Sequence, residues 1–366
     1  MTRKAGNVAG SLLLIGLTVV VAAWAFRTTT TERFTAAVVA ATPGIPTVHV
    51  QNPRLSETAF HAGVSVVVYG NDPYFQQKAQ LLLNRLANLG VNSVSLVIPI
   101  FQDGVTGSRV FPDPKKTPSD IRITTFVNAA QRRGFTVMLR PLLDIGTPET
   151  PTDWRGSIRP SDPTQWRESY RALILGYAEL AGRDKVGIFD IGSELDSMEP
   201  NTTYWQRLVT SVRAAYKGQV TYSSNWAKWY PAFGSSLDFI SIDAYFPLSR
   251  PTSASAQDLA GAWQQWINRM QAIARSFGKP LVLTELGATS LTGSFQQPWI
   301  WDNGQAIDLT AQQRYYQAAC ASVVPRFGGV YWWMYTLDPP AKPDLDRSYA
   351  IAGKPAEADL KACFSH

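Results

Sequence analysis

The chain has 366 residues, 45% of them hydrophobic and 11% aromatic, and only 17% are charged. That composition excludes a disordered, collagen-like or disulfide-dense miniprotein and leaves room for one large domain or two medium ones. Of the formal charge of +6, the first 34 residues supply +3 (Arg3, Lys4, Arg27 and Arg33 against Glu32), so the remaining 332 carry only +3. No basic stripe stands out there, which argues against a nucleic-acid partner. Three His (His49, His61, His366) and two Cys are too few for a His- or Cys-built metal cage, and no metal or organic cofactor is expected.

Ala5 to Phe26 is an uncharged stretch of 22 residues preceded by Arg3 and Lys4. About 20 such residues span a bilayer. Ala23-Trp24-Ala25 also fits a small-x-small cleavage site. Residues 1–27 are therefore read as a signal peptide or a membrane anchor, with the membrane as a partner if the segment is retained. Either choice places the rest outside the cytoplasm, secreted or tethered. Residues 28–59, with a run of four Thr and with Pro43, Pro46 and Pro53, hold no sustained period and read as a linker. Cys320 and Cys363 form an even pair in an exported chain; a disulfide between them is expected, with two buried thiols as the alternative.

From residue 60 to 366, apolar β-rich runs alternate with helical stretches. The runs are 63–69, 91–101, 135–143, 186–191, 220–224, 237–245, 281–285 and 329–335. Helices are predicted from Pro73 to Gly90, from Ser119-Asp120 to Gly134, from Asp162-Pro163 through Leu180, and from Asn201 to Tyr216. Further helices are expected at Ala256 to Phe277, from near Thr310 and near Leu360, with only a short one after the fifth run. Runs buried on both faces and separated by helices argue βαβ units and a parallel sheet. Eight units match the α/β class as a single (β/α)8 TIM barrel, typically ~250 residues. The competing doubly wound sheet lacks its Gly-rich phosphate loop after the first strand.

In such a barrel the C-terminal strand ends form the active face. Strand four ends in Glu194 and strand seven in Glu285. Two carboxyls flanking a glycosidic bond, about 5–5.5 Å apart, serve as nucleophile and as acid/base in retaining hydrolysis. The structural alternative is that either Glu pairs with Arg140 or a Lys as a plain ion pair. Asn225 and Trp226 end strand five, where they could supply a polar contact and a stacking face or simply pack. Asp103 and Arg140 lie at strands two and three and are expected at substrate hydroxyls. Asp144 could equally cap a loop.

The segments Phe101-Gln102-Asp103, Val137 to Pro141, Ile191 to Leu195, Asp243 to Leu248, Thr284 to Gly287 and Gly329 to Trp333 together resemble glycoside hydrolase family 113. The resemblance covers roughly residues 61 to 338. It implies a retaining β-glycosidase, with Glu194 as acid/base and Glu285 as nucleophile. It makes Tyr245 the residue that hydrogen-bonds the nucleophile and Trp333 the sugar platform, with the alternative that Trp333 is core packing. By strand alternation Trp332 should face the helix layer instead. Ser193 stands where many members of the clan carry Asn, so a shorter donor would face the sugar 2-hydroxyl. Leu142 stands where a polar residue, often His, is expected. The implied partner is a β-linked glycan, β-mannan first. A carbohydrate-binding barrel without turnover is the alternative, but it would have no need of both glutamates.

Overall fold

The computed structural model describes residues 60–70, 72–150 and 152–365. The expected export segment and linker, residues 1–59, lie outside the described residues. The strands are β1 (His61–Val67), β2 (Ser93–Gln102), β3 (Thr136–Ile145), β4 (Ile188–Ser193), β5 (Gln219–Asn225), β6 (Ile240–Asp243), β7 (Leu281–Leu286) and β8 (Gly329–Thr336). They pair in parallel, each with the next, and β8 closes on β1. The helices are α1 (Phe75–Asn88), α2 (Asp120–Gln131), α3 (Pro163–Arg183), α4 (Thr202–Ala215), α5 (Ala256–Phe277), α6 (Leu309–Ser322) and α7 (Pro355–Phe364). The chain is a TIM barrel.

Local chemistry explains the element ends. Pro163 opens α3, and the Asp162 side chain accepts from the Thr164 and Gln165 amides, which otherwise lack partners in a first helical turn. Ser255 and Asp258 form a reciprocal capping box on α5, and Gly278 ends it at φ 62°, a conformation that costs glycine nothing. Between β5 and β6 only a 3₁₀ turn forms, Ala232–Ser236. Its Phe233 stacks on Trp205 of α4 and packs edge-on to Tyr222, so one aromatic ring fills the place of a helix. β6 is shorter than the apolar run predicts. Its register with β7 shifts between Ile242 and Asp243, and the Tyr245 amide turns back to the Asp243 carbonyl at 3.1 Å. Tyr245 thereby leaves the ladder at the barrel mouth.

Alternation sorts the interior into tiers. Met138, Ile188, Phe239, Val282 and Tyr331 form an apolar floor. Two residues further along β3, β4 and β6 come Arg140, Asp190 and Ser241, then Asp243, all with no exposed surface. Above them Val67, Val97, Leu142, Tyr245, Trp333 and Tyr349 form an upper apolar tier. A buried charged layer is thus sandwiched between two greasy ones. Trp332 points outward and stacks on Tyr316 of α6 at 4.1 Å, as alternation requires. Cys320 of α6 and Cys363 of α7 are disulfide-bonded. A cavity of about 680 Å³ opens on the outer wall between α1 and α7, where Lys78, Arg85, Tyr335 and Glu357 are among its lining; it shares no residue with the mouth.

Candidate active site

Glu194 follows β4 directly and sits at φ 51°. A side chain in the left-handed region costs about 1–2 kcal/mol and persists where the surroundings over-determine it. Here they do. The Glu194 amide donates to the Ser223 carbonyl at 2.8 Å. The next amide, Leu195, donates to Tyr222 Oη at 2.9 Å, and that hydroxyl donates to Glu199 Oε1 at 2.8 Å. The turn aims the carboxylate at the mouth. There Oε1 accepts from Asn225 Nδ2 at 3.3 Å, and Oε2 accepts from Arg155 Nη1 at 3.0 Å. Burial pushes the Glu194 carboxyl up to about 7; Arg155 opposes that rise, while the charges of Glu285 and Asp196 add to it.

Glu285 stands on β7, in register with Asp243 of β6, which is in turn in register with Asn225 of β5. Three adjacent strands therefore set their polar residues side by side. Glu285 Oε1 lies 2.8 Å from Arg140 Nη2, and Oε2 accepts from Tyr245 Oη at 2.5 Å. Burial, followed by the charge of Glu285, holds the Tyr245 phenol well above its ordinary range, so the hydroxyl stays a donor.

Arg140 lies in the charged tier beneath. Its Nε donates to Ser193 Oγ at 2.8 Å and is 3.3 Å from Asp190; Nη1 donates to the Thr284 carbonyl at 3.2 Å; Nη2 reaches Asp243 at 2.7 Å. Burial would lower its pKa, but Asp243, Glu285 and Asp190 around it raise it above the usual value. Burial drives the two aspartates upward, Asp190 to about 6 and Asp243 well above the carboxylate range, with Arg140 opposing both.

The structure places the expected site residues as follows. Arg140, expected at substrate hydroxyls, has no exposed surface: it is the inward residue between Met138 and Leu142, so the upper tier covers it. Its guanidinium supports Glu285 from below. Ser193, expected near a sugar hydroxyl, is 1% exposed, and its Oγ is taken by Arg140 and Asp190. Asp103 is exposed just past β2. Asp144 Oδ1 accepts from the Ile145 amide at 2.9 Å, a local turn contact. Trp333 lies at the mouth beside Tyr245 and Tyr349, and the Trp333–Met334 peptide is cis. Trp226 stacks on Trp299 at 4.9 Å.

Sequence reasoning overlooked Arg155, Asp190, Asp243 and Tyr349. Asp190 and Asp243 did carry a signal, an acid inside a strand buried on both faces, which requires a partner. Arg155 sits in a 3₁₀ turn of a long loop and carried none. Among the described residues no group of three or more His, Cys, Asp or Glu is arranged to hold a metal ion.

A family model for Glycoside Hydrolase Family 113 matches residues 67–354. The chain belongs to glycoside hydrolase family 113. Among solved structures it is similar to the family 113 β-mannanase of Alicyclobacillus acidocaldarius, at 27% identity and a TM-score of 0.75, over 84% of this chain and 97% of that one. A second family 113 β-1,4-mannanase matches at 25% identity and a TM-score of 0.75, over 84% and 99%. An endo-β-1,4-mannanase from Thermotoga petrophila shares the fold, at 12% identity and a TM-score of 0.54, over 84% and 77%. No curated protein matches the chain. As a family 113 member it is a retaining glycoside hydrolase, and the two glutamates at its strand ends are its candidate catalytic pair.

Proposed function

We propose that this family 113 enzyme cleaves β-linked mannan chains by double displacement, with Glu285 as nucleophile and Glu194 as acid/base. The observation that carries the assignment is the contrast between the two carboxylates at one mouth. Glu285 is fixed at both oxygens, by Arg140 and by Tyr245, as a nucleophile must be to stay aligned. Glu194 is pushed up to about 7, which lets it give and take a proton near neutral pH.

In the first step a Glu285 oxygen bonds to the anomeric carbon, the glycosidic C–O bond breaks, and the Glu194 proton passes to the leaving oxygen. In the second, a water oxygen attacks the same carbon, the Glu285 ester bond breaks, and the water proton returns to Glu194. Trp333, with Tyr245 and Tyr349 beside it, offers an aromatic face to the sugar ring. The two family 113 β-mannanases with which the chain aligns over most of its length support mannan as the substrate. Export, as a secreted or membrane-tethered enzyme, is part of the same reading, and the Cys320–Cys363 disulfide supports it.

A panel of mannan, glucan and xylan, with azide rescue, tests the assignment. Mannan turnover is expected, with Glu194→Ala rescued by azide to a β-glycosyl azide and Glu285→Ala rescued to the inverted product. The opposite pattern would exchange the two roles, and turnover of glucan or xylan alone would overturn the substrate.

A further inference from the structure

The long loop after β3 returns to the mouth in a 3₁₀ turn, Arg155–Ser157, and its first residue touches Glu194. Arg155 Nε donates to the Leu143 carbonyl of β3 at 2.7 Å, and Nη1 donates to Glu194 Oε2 at 3.0 Å. One guanidinium thus ties the loop to the barrel and the acid/base to the loop. Its side chain is 23% exposed, against 9% for Glu194, so the pair lies at the wall of the mouth and not in the core.

We propose that Arg155 is a positioning residue that apportions the two half-reactions: by pairing with Glu194 Oε2 it favours the base that breaks down the glycosyl-enzyme over the acid that forms it. The proposal rests on the acid/base reading of Glu194. A cation within hydrogen-bond distance stabilises the carboxylate over the carboxylic acid. The carboxylate is the form that accepts the proton of the attacking water; the acid is the form that protonates the leaving oxygen. Arg155 therefore helps one step and opposes the other.

The other groups facing Glu194 are Glu285 of β7, Asp196 just past β4 and Arg140 of β3, with Asn225 of β5 on the second oxygen. Asp243, Glu199 and Tyr349 also feel its charge. Behind Arg155 stand Asp144 and Tyr69. Arg140 has its donors committed to Asp243, Glu285, Ser193 and Thr284, which leaves Arg155, among the described residues, as the cation hydrogen-bonded to the acid/base.

The test uses two substrates with Arg155→Gln and Arg155→Lys. With a mannooligosaccharide, whose leaving group needs a proton, kcat/KM reports formation of the glycosyl-enzyme. With a 2,4-dinitrophenyl β-mannoside, which leaves without one, kcat reports its breakdown. In Arg155→Gln the alkaline limb of the first profile is expected to move up by about 1 pH unit. The acid limb of the second should move the same way, so that breakdown slows roughly tenfold below the wild-type limb. Lys restores the charge without the full fork, and Arg155→Lys should lie between the two. Limbs left in place, with a uniform loss of rate on both substrates, would reduce Arg155 to loop packing and overturn the proposal. Absence of azide rescue in Glu194→Ala under the same conditions would instead remove the acid/base assignment, and the proposal with it.

Discussion

Arg140 Nη2 lies 2.8 Å from Glu285 Oε1 and 2.7 Å from Asp243 Oδ2, with no exposed surface of its own. One guanidinium serves three buried acids, counting Asp190. Removing it leaves carboxylates buried without a counter-ion, a change that costs about 3–5 kcal/mol when one partner of a buried pair is lost. Arg140→Met should lower thermal stability markedly and abolish turnover. Arg140→Lys keeps the charge but not the fork, and kcat/KM should fall about 100-fold or more, some 2.7 kcal/mol of transition-state stabilisation. Melting curves and steady-state kinetics check both; a Lys variant of near wild-type activity would contradict the role.

Tyr245 donates to the other oxygen of Glu285 from beyond the end of β6. Hydrogen bonds to charged groups contribute about 1.5–3 kcal/mol. Tyr245→Phe keeps the ring in the upper tier and removes only the hydroxyl. The expected outcome is a drop in kcat/KM of about 10- to 100-fold, with a melting temperature lowered by no more than several degrees. Wild-type kcat/KM in this variant would mean that the O–H does not matter to Glu285.

The carboxyl of Glu194, raised to about 7, predicts an alkaline limb in kcat/KM near that pH, because the first step of the proposed mechanism needs the protonated form. Glu194→Gln should lose the limb along with most activity on unactivated substrates. The stability sign follows from the same direction. A carboxyl whose folded pKa lies above its unfolded value contributes stability that is fully present below the unfolded value. That contribution is lost as pH rises through the folded one. Glu199 and Asp196, also pushed up to about 7 chiefly by burial, act in the same window. The melting temperature should therefore fall between about pH 5 and pH 8, and Glu199→Gln should flatten that slope. A melting temperature that rises over the interval would contradict the burial of these acids.

The Cys320–Cys363 bond joins α6 to α7 across a sequence separation of 43. Closing a loop of that size stabilises a fold by about 2–4 kcal/mol, chiefly through the unfolded chain. A Cys320→Ser, Cys363→Ser double variant should melt several degrees lower while keeping kcat/KM at room temperature. Loss of activity without loss of stability would tie the helix pair to the site.

The barrel was legible because its strands are apolar runs of β-branched residues and its helices carry recognisable caps, as at Asp162 and Ser255. Glu194 and Glu285 were legible because each is an acid at the end of such a run. What the one-dimensional pattern could not convey was depth. Arg140 sits two residues before Leu142, and only the stacking of inward side chains from eight strands shows that Leu142 roofs it over. Strand alternation placed Trp332 among the helices, but it says nothing of neighbours across strands, so Asp190 and Asp243 around Arg140 went unread. Arg155 lay beyond reach for a different reason: its contact with Glu194 depends on how an aperiodic loop folds back.

The pairing of β1 with β8 joins the first strand to the last. During synthesis β1 must wait, one edge unpaired, for nearly the whole chain to emerge, and Trp333 arrives only with the strand that seals the ring. A product truncated before β8 would lack part of the mouth and would expose two open strand edges, which template association with other chains. Premature termination should therefore yield aggregates and not a weakened enzyme.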